Sequence, residues 1–515
     1  MNINDKTVAQ LFQQYEKTRF DFYKNFRVKG FFAWQVIKRP LYYDITSDVF
    51  YQNAKRRRGS SMKKYLVAFL KFPFQFFRIK TKKKKIKALV IGHEIYRFEK
   101  DENGKDINNF ADHWYHFWEN DERIFFEYRS GIKDPEMSNL REDLDINFLN
   151  AIVAVVVTLA SKMRWRNKTV KDLSTNLQSF LASNIDEVPN LVPIVRRIVL
   201  RFQIEYGFYS FLFRTLKPQF LIVTDEIGTG VMAAANKAGV IVVENQHGHF
   251  DKLKPDYMLD PQTLGTSREK LILPNYITVF GEYFKKSLIS DSIWKNEEIV
   301  PVGNVRIDKY RQKRKSSAEH EFTILIPTQW NVFTETMTLL NELSDGHGLT
   351  KVRILVKMHP REPKSHIDEY HKLAQADSIF SILDSQCNIY DLFLQSDVVV
   401  GFDSTSLFEA VACGLPTITI NTAIAPDGIH SYIIKEEVLM NAIKISDAKG
   451  SWQIISNWLA NKDFRSDWLK KVREAGNYLY TENCIENCRS LIANKITWND
   501  WHLTNHVLQD SQPIL

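Results

Sequence analysis

Three hydroxyl side chains in a row, Ser404, Thr405 and Ser406, follow a short apolar run that predicts a buried strand. A helix that begins at such a point exposes backbone N–H groups, which bind anions together with Ser or Thr hydroxyls. Capping the helix would need only one hydroxyl. We therefore predict a phosphate site here, with Glu409 about one turn further on to reach a ribose or a base.

A second chemical signal is the pair His359-Pro360, which follows the predicted strand Val352–Met358. Proline would end the strand and hold the histidine at its end. Lys357 and Arg361 are close in sequence, and a histidine among cations can donate to a departing phosphate oxygen. A lone histidine is often structural, but its place at a predicted strand end favours a functional role.

The elements that must position these residues are short apolar runs alternating with helical segments, the pattern of parallel α/β domains. Segment 108–217 is predicted to be mainly helical. The predicted strands are Lys87–His93, Phe220–Asp225, Val240–Glu244, Phe322–Pro327, Val352–Met358, Val398–Phe402 and Thr417–Ile420. The clearest predicted helices between them are Gly228–Lys237, His366–Ala376 and Ser406–Cys413.

The predicted fold class is α/β, with two Rossmann-like doubly wound domains facing a cleft and a basic helical N-terminal extension. A polar, cationic stretch separates the two α/β blocks and resembles a linker. The predicted boundaries are 1–85 for the extension, 86–308 for the first domain, 309–321 for the linker, 322–480 for the second domain and 481–515 for a helical tail.

Charge is concentrated at one end of the chain. Residues 1–88 contain 22 Lys and Arg against 5 Asp and Glu, whereas the rest of the chain has a net charge of −9. Cations at 55–58, 63–64 and 82–85 flank the apolar, Phe-rich segment Tyr65–Phe77. This pattern predicts contact with an anionic membrane surface. The alternative is a solvated face beside an ordinary core helix broken at Pro73.

The amino-acid composition and the first residues of the chain exclude several classes of protein. The 44% hydrophobic content is ordinary for globular domains and excludes collagen-like, mucin-like and low-complexity proteins. Four cysteines without a C-x-x-C pair argue against a disulfide scaffold or a zinc site. No run is long enough for a transmembrane helix, and the first residues do not resemble a signal peptide. We therefore predict a cytoplasmic protein, with the inner face of the plasma membrane as a further location.

Several motifs of the second half carry a family resemblance. They are Gly303–Asp308, His359-Pro360, Ser404–Ser406, Glu409-Ala410 and Gly414–Pro416. Together they resemble the nucleotide-binding half of bacterial GT-B glycosyltransferases that build capsules and lipopolysaccharide. The chain is similar to the CMP-nonulosonate and Kdo transferases among them, and to CDP-glycerol glycerophosphotransferases. The resemblance covers residues 221–420.

The resemblance implies a GT-B enzyme that takes a nucleotide-sugar donor and a glycan or lipid-linked glycan acceptor, without a cofactor or metal. It implies that His359 is catalytic and that the nucleotide contacts Lys357, Pro360, Arg361, Ser404, Thr405, Ser406 and Glu409. Retaining GT-B enzymes commonly carry Glu-x7-Glu. Here Asp403 and Glu409 are only six apart, which favours inversion at the anomeric carbon.

Inversion needs a general base on the acceptor side. Asp225 and Glu226 end a predicted strand and precede glycines that allow close approach of a substrate. His247 matches a His-Gly motif resembling one in the glycerophosphotransferases, and Glu94 follows the first strand. We rank Asp225 and Glu226 first, then His247, then Glu94. Helix capping or a loop hydrogen bond is the alternative role for each.

Three other functions compete with glycosyl transfer. A glycerophosphate or other nucleotide-sugar transferase, or an epimerase, would share the two-domain architecture. A nucleic-acid-binding protein would explain the basic N-terminus, but the sequence contains no recognisable nucleic-acid module, so nucleic acid is not a predicted partner. Release of nucleotide distinguishes a transferase from an epimerase.

Overall fold

The computed structural model describes most of the chain and divides it into two compact units. The first unit is Met1–Val279 with Phe284–Val300, and the second is Phe280–Tyr283 with Pro301–Leu515. The residues described are 5–45, 62–82, 85–93, 97–100, 106–128, 148–162, 168–185, 188–248, 256–262, 264–313, 322–345, 352–402, 404–421 and 436–494. The predicted boundaries at 85, 308, 321 and 480 stay predictions.

The N-terminal residues pack into the first unit around buried aromatic side chains. Their elements are α1 (Asp5–Thr18), α2 (Phe20–Tyr23), the antiparallel pair β1 (Arg27–Val28) and β2 (Phe31–Phe32), α3 (Ala33–Ile45) and α4 (Met62–Lys82). Lys38 of α3 is buried with its Nζ 2.6 Å from Glu16 Oε1, and the indole of Trp34 donates to the same oxygen at 3.0 Å. The Gln35 amide bonds both backbone groups of Ile272, which fixes α3 against the rest of the unit.

A six-stranded sheet forms the centre of the first unit, in the order β10-β9-β8-β7-β3-β6. The strands are β3 (Ala88–His93), β6 (Arg123–Tyr128), β7 (Phe220–Thr224), β8 (Ile241–Asn245), β9 (Tyr276–Val279) and β10 (Ile299–Pro301). The ladders that join β6, β3, β7, β8 and β9 are parallel. Strand order reverses between β3 and β7, and ligands bind at the carboxyl ends of strands at such a point.

Helices and one small hairpin surround this sheet. The hairpin is β4 (Arg97–Lys100) with β5 (Asp106–Asn108). The helices are α5 (Asp112–Tyr115), α6 (Phe148–Lys162), α7 (Lys168–Ala182), α8 (Leu191–Leu216), α9 (Gly230–Ala238) and α10 (Glu282–Asp291). A Cβ at Gly230 would lie 2.6 Å from Glu205 Cβ, so this glycine lets α9 pack directly on α8. That space is filled by protein and not left to a substrate.

The second unit contains a six-stranded parallel sheet in the order β13-β12-β11-β14-β15-β16. Numbered from the first strand of this unit, the order is 3-2-1-4-5-6, that of the Rossmann fold. The strands are β11 (Phe322–Pro327), β12 (Val352–Lys357), β13 (Phe380–Leu383), β14 (Val398–Gly401), β15 (Thr417–Ile420) and β16 (Ile443–Ser446). The switch point lies between β11 and β14.

Helices flank this sheet as well. They are α11 (Val305–Lys313), α12 (Phe333–Asp345), α13 (Lys364–Ala376), α14 (Ile389–Gln395), α15 (Thr405–Ala412), α16 (Glu437–Ala442), α17 (Ala448–Ala460), α18 (Lys462–Leu479) and α19 (484–494). Arg311 of α11 donates to the carbonyls of Tyr480 and Gly476 at 2.9 and 2.7 Å, and also to that of Ala412. One guanidinium thus joins the carboxyl-terminal ends of α15 and α18.

The predicted α/β class with two doubly wound sheets is confirmed, and so are all seven predicted strands to within one residue at each end. The prediction that 108–217 is mainly helical is wrong for β6, which pairs with β3. The break at Pro73 in the alternative interpretation of the basic segment is also wrong, because α4 continues through it. Pro73 is exposed, so water can replace the backbone hydrogen bond that proline cannot donate. Across the described residues, every helix is too short or too polar to cross a membrane.

Candidate functional site

The loop after β7 holds the two leading base candidates, Asp225 and Glu226, which we call the acidic turn. Asp225 has a φ of +67°, an unusual conformation for a residue other than glycine. The fully buried Glu244 of β8 stabilises it, because Oε1 accepts the Asp225 N–H at 2.6 Å and both oxygens accept the Glu226 N–H at 3.3 Å. A side chain of the neighbouring strand therefore fixes the backbone of the turn.

Arg39 of α3 holds the Asp225 side chain. Its guanidinium forms an ion pair with the Asp225 carboxylate and donates to the carbonyl of the same residue. Its Nε lies 3.1 Å from an oxygen of the buried Asp256. The Asp225 carboxylate is thus paired with a positive charge.

Glu226 is paired differently, with an imidazole. Its Oε1 lies 3.1 Å from Nε2 of His93, the last residue of β3. The carbonyl of His93 accepts from the Asn108 amide at 3.1 Å, and that amide also donates to the buried Glu127 at 2.8 Å. The pair of Glu226 and His93 lies at the ends of β7 and β3, where the strand order reverses. The backbone carbonyl of His93 is held by the Asn108 amide.

His247, the next base candidate, lies on the other side of the acidic turn. Its Nδ1 is 3.7 Å from Asp225 Oδ1, an ion-pair distance when the ring is protonated. The structure therefore brings Asp225, Glu226 and His247 together, whereas Glu94 lies outside the described residues. Sequence reasoning missed Arg39 and Asp256, and it treated Glu244 and His93 only as the last residues of predicted strands.

Glu244 has an unusual protonation equilibrium. Burial, together with the nearby Asp225 and Glu226 carboxylates, raises its pKa to about 8. Arg39 opposes this rise. Around neutral pH the folded protein therefore holds a proton on this side chain, and the hydrogen bond from the Tyr257 hydroxyl at 3.2 Å adds a further polar partner.

This pKa predicts that stability falls as pH rises. An unfolded Glu releases its proton near its ordinary pKa of 4.5, but folded Glu244 keeps it to about pH 8. Between these values the folded state binds more protons, so the free energy of unfolding drops by up to about 1.4 kcal/mol per pH unit. Urea unfolding from pH 5 to 8 should show a shallower loss for Glu244→Gln than for wild type. The exposed Glu119→Gln should retain the wild-type slope, and equal slopes for all three proteins would refute the assignment.

In the second unit, the His-Pro loop (residues 358–363) follows β12 and contains His359 as its second residue. The His359 N–H donates to Thr328 Oγ1 at 3.0 Å, and its Nδ1 accepts the Arg361 N–H at 3.1 Å. Burial, with help from Arg361 and Lys357, lowers its pKa. The ring is therefore neutral at physiological pH, and because Nδ1 is an acceptor its proton lies on Nε2.

Hydrogen bonds among buried and partly buried side chains support the His-Pro loop. The Thr328 hydroxyl donates to Glu362 at 2.8 Å, and the other oxygen of this fully buried carboxylate is 2.9 Å from His366 Nδ1. His366 stacks on Phe333 with ring centroids 3.9 Å apart. Sequence reasoning did not single out Thr328 or His366, since neither belongs to a recognisable motif.

The predicted nucleotide contacts of this loop differ in exposure. Pro360 and Arg361 are exposed. Lys357 is buried, which lowers its pKa, and its ammonium donates to the carbonyls of Ser385 at 3.1 Å and Met358 at 3.4 Å. Lys357 thus ties β12 to the loop after β13.

The hydroxyl-rich segment follows β14. Ser404 caps α15 by accepting the Ser406 N–H at 3.3 Å, and the two hydroxyls are 2.7 Å apart. Thr405 is exposed, and Asp403 lies outside the described residues. The capping role is therefore observed. Because β12 and β14 flank β11, the His-Pro loop and the start of α15 lie two strand spacings apart, or about 10 Å, on the same edge of the sheet.

Glu409 lies one turn into α15 beside Arg306 and Tyr390. Burial raises its pKa, while the Arg306 charge opposes the rise. The Arg306 guanidinium also lies over the Tyr390 ring, 4.1 Å from its centroid. Arg306 belongs to the Gly303–Asp308 segment, so the structure joins two of the motifs that carry the family resemblance.

The chain has similarity to solved structures only. No protein-family model matches it, and no curated protein matches it. A UDP-N-acetylglucosamine 2-epimerase structure is 14% identical with a TM-score of 0.46, covering 84% of this chain and 99% of that chain. The UDP-GlcNAc 2-epimerase from Neisseria meningitidis bound to UDP-GlcNAc is 14% identical with a TM-score of 0.45, covering 80% and 100%. Acinetobacter baumannii MurG is 13% identical with a TM-score of 0.37, covering 57% and 78%. The fold assignment rests on the two sheets of this chain itself.

Proposed function

We propose that this protein is an inverting, metal-independent glycosyltransferase of the GT-B type. The observation that carries the proposal is that His359, whose Nδ1 accepts the Arg361 N–H, lies at the carboxyl ends of the same sheet as the serine-capped start of α15. A hydrogen-bond donor and a helix N-terminus on one edge form a receptor for a phosphate that gains charge as it leaves. The strand order of this sheet is that of the Rossmann fold, in which nucleotides bind at the carboxyl ends of the strands.

The second unit supplies the donor half of the proposed reaction. Nε2–H of His359 donates to a departing phosphate oxygen, and the hydroxyls and N–H groups at 404–406 bind the remaining oxygens. Arg361 is exposed and adds positive charge. Glu409 accepts from a ribose hydroxyl, a role in keeping with its place one turn deeper.

The first unit supplies the base. Among the candidates, Glu226 is preferred because it is paired with His93, whereas the Asp225 carboxylate is paired with Arg39. In the proposed step the acceptor hydroxyl gives its proton to this base and its oxygen attacks the anomeric carbon. The bond from that carbon to the phosphate oxygen breaks, and the nucleotide leaves with the electron pair. Attack opposite the leaving group inverts the configuration.

The sugar and the acceptor are proposed from the family resemblance. The motifs at 303–308, 359–360, 404–410 and 414–416 support a CMP-activated nonulosonic acid or a Kdo-type sugar as donor. They likewise support a capsule or lipopolysaccharide glycan, free or lipid-linked, as acceptor. Such acceptors are made on the cytoplasmic side of the plasma membrane, which is therefore the proposed location.

Thermal unfolding with CMP, CDP, UDP, GDP and their sugars tests the donor. A ligand that binds only the folded state at about 100 times its Kd adds about 2.7 kcal/mol of stability, so the cognate nucleotide should raise Tm. We expect CMP and a CMP-sugar to do so. A shift with UDP alone would refute the CMP assignment, and the absence of any shift would refute the nucleotide site.

Nucleotide release tests the reaction class. A transferase releases one nucleotide for each sugar moved, whereas an epimerase changes the sugar and keeps the nucleotide attached. A glycerophosphotransferase would release CMP from CDP-glycerol. Incubating the protein with the stabilising nucleotide sugar and a soluble acceptor glycan should therefore yield free nucleotide and extended glycan in equal amounts. Conversion of the donor without nucleotide release would identify an epimerase.

A further inference from the structure

Helix α4 of the first unit is apolar on two opposite faces. One face packs inward, where Phe72 lies 4.9 Å from Phe148 and 5.4 Å from Phe208 between ring centroids, and Ile79 is buried. The other face leaves Phe69, Leu70, Phe74 and Phe77 exposed by 51, 66, 74 and 66% of their surfaces. At 100° per residue these four lie within one sector of about 140°. Large apolar side chains grouped in this way mark an interaction surface.

Helix α6 extends this surface. It packs against α4, and the ring of Phe69 is 5.8 Å from that of Phe148 at the start of α6. Val155 and Leu159, spaced i and i+4 on α6, are about half exposed. The two helices together form an apolar face that the described residues of the first unit do not bury.

The charges on α4 itself have one sign. The sequence of α4 contains no Asp or Glu. Lys71, Arg78 and Lys80 are exposed on it, and Lys85 is exposed just beyond its end. Apolar side chains within a belt of cations match the boundary between acyl chains and anionic headgroups.

We propose that the outward face of α4, extended by α6, lies in an anionic lipid bilayer surface. An amphipathic helix lying in the membrane plane places its apolar side chains about 5–10 Å deep, within reach for Phe and Leu. The absence of acidic residues on α4 argues for a bilayer and against a second copy of this chain, because two such faces would bring like charges together. This inference stands independently of the proposed transfer reaction, since it concerns binding alone.

Vesicle sedimentation with the full chain tests the proposal. The protein should sediment with vesicles of mixed phosphatidylglycerol and phosphatidylcholine at roughly 0.05 M salt, and poorly at about 0.5 M salt, because charges are then screened within a few ångströms. Vesicles of phosphatidylcholine alone should retain little protein. Each cation near the surface strengthens binding roughly fivefold. The triple variant Lys71→Gln, Arg78→Gln and Lys80→Gln should therefore bind about 100-fold more weakly.

Matched variants separate this face from general surface properties. Lys462→Gln, Lys470→Gln and Arg473→Gln remove three exposed charges from α18 in the second unit and should leave binding unchanged. Leu70→Ser with Phe74→Ser should weaken binding at least tenfold. The apolar pair Val438→Ser and Met440→Ser, 40 and 51% exposed in the second unit, should not. None of these residues belongs to the candidate site, so the nucleotide-dependent rise in Tm reports separately on the proposed function.

Three outcomes would overturn the proposal. Equal binding to anionic and neutral vesicles would show that the cations of α4 do not contribute to membrane binding. Absence of binding to either would show that the face contacts something other than lipid. Light scattering that shows a dimer, lost in Leu70→Ser with Phe74→Ser and insensitive to vesicles, would assign the face to a second copy of the chain.

Discussion

Replacing Glu226 with Gln is expected to slow sugar transfer by about 10³-fold while leaving nucleotide affinity unchanged. A general base contributes roughly 10²–10⁴-fold to such reactions, and it acts on the acceptor hydroxyl and not on the donor. Gln keeps the size and hydrogen-bonding capacity of Glu but cannot take up the proton. The measurement is kcat with a soluble acceptor, together with nucleotide affinity from the rise in Tm.

Asp225→Asn distinguishes the two acids of the acidic turn. Because Asp225 is paired with Arg39, we expect this change to weaken the contact to α3 and lower Tm, with a smaller effect on kcat than Glu226→Gln has. The exposed Glu119→Gln serves as the control for a lost carboxylate in the same unit. A large loss of kcat in Asp225→Asn alone would make Asp225 the base. If neither change matters, His247 becomes the leading candidate.

Substitutions of His93 also test the pair that it forms with Glu226. If the imidazole positions Glu226, His93→Ala should lower kcat and leave nucleotide affinity unchanged, because the partner that holds the base in place is gone. His93→Gln should restore part of the rate by keeping a donor near Glu226 Oε1. A loss of kcat that His93→Gln does not restore, together with a lower Tm, would mean that His93 serves only to hold the strand end.

The strands that sequence reasoning found are largely buried, although β9, which is also largely buried, was missed. β7 and β14 are continuous apolar runs, which is how parallel strands covered by helices read. β13 and β16 were missed because they lie at the two edges of the second sheet and carry half-exposed polar positions. β6 was missed because its few apolar residues stand between segments with helical periodicity, and only its pairing with β3 decides its structure.

Site residues could be predicted where they follow a strand in the sequence. They could not be predicted where tertiary packing brings a partner from elsewhere in the chain. Asp225, Glu226, His247, His359 and Ser404 could be named because each stands at a strand end, where the α/β fold places ligands. Arg39 is 186 residues from the Asp225 carbonyl that it binds, and no periodic pattern connects such positions.

The glycines after Glu226 show the opposite error. They were expected to admit a substrate, but Gly228 faces the carbonyl of Gln35 and Gly230 faces α8.

Replacing His359 with Ala is expected to lower kcat by about 10²-fold or more, the usual effect of removing one donor to a developing charge. Stability should change little, since the hydrogen bond that the His359 backbone N–H donates to Thr328 remains. His359→Gln should recover part of the rate, because its amide can place an N–H close to the position of Nε2. The exposed His371→Ala on α13 is the matched control and should behave as wild type.

Ser404→Ala tests the other end of the proposed phosphate site. It removes the cap of α15 and the bond to Ser406, so we expect both a loss of about 1 kcal/mol in stability and a fall in kcat of about 10²-fold. Ser404→Thr keeps the hydroxyl and should restore both quantities. A loss of stability without a loss of kcat would leave capping as the whole role of Ser404.

The pH dependence of the proposed transfer reaction distinguishes two ways in which His359 could act. An imidazolium acid would lose activity as pH rises through its pKa, whereas a neutral ring donates from Nε2 at every pH above that pKa. Because burial and the neighbouring cations lower the pKa of His359, the neutral form already dominates at pH 7. The His359-dependent part of kcat, taken as the ratio of wild type to His359→Ala, should therefore stay constant from pH 7 to about pH 9. A ratio that falls tenfold per pH unit over this range would show that the protonated ring is the active form, and full activity of His359→Ala would remove it from the donor site.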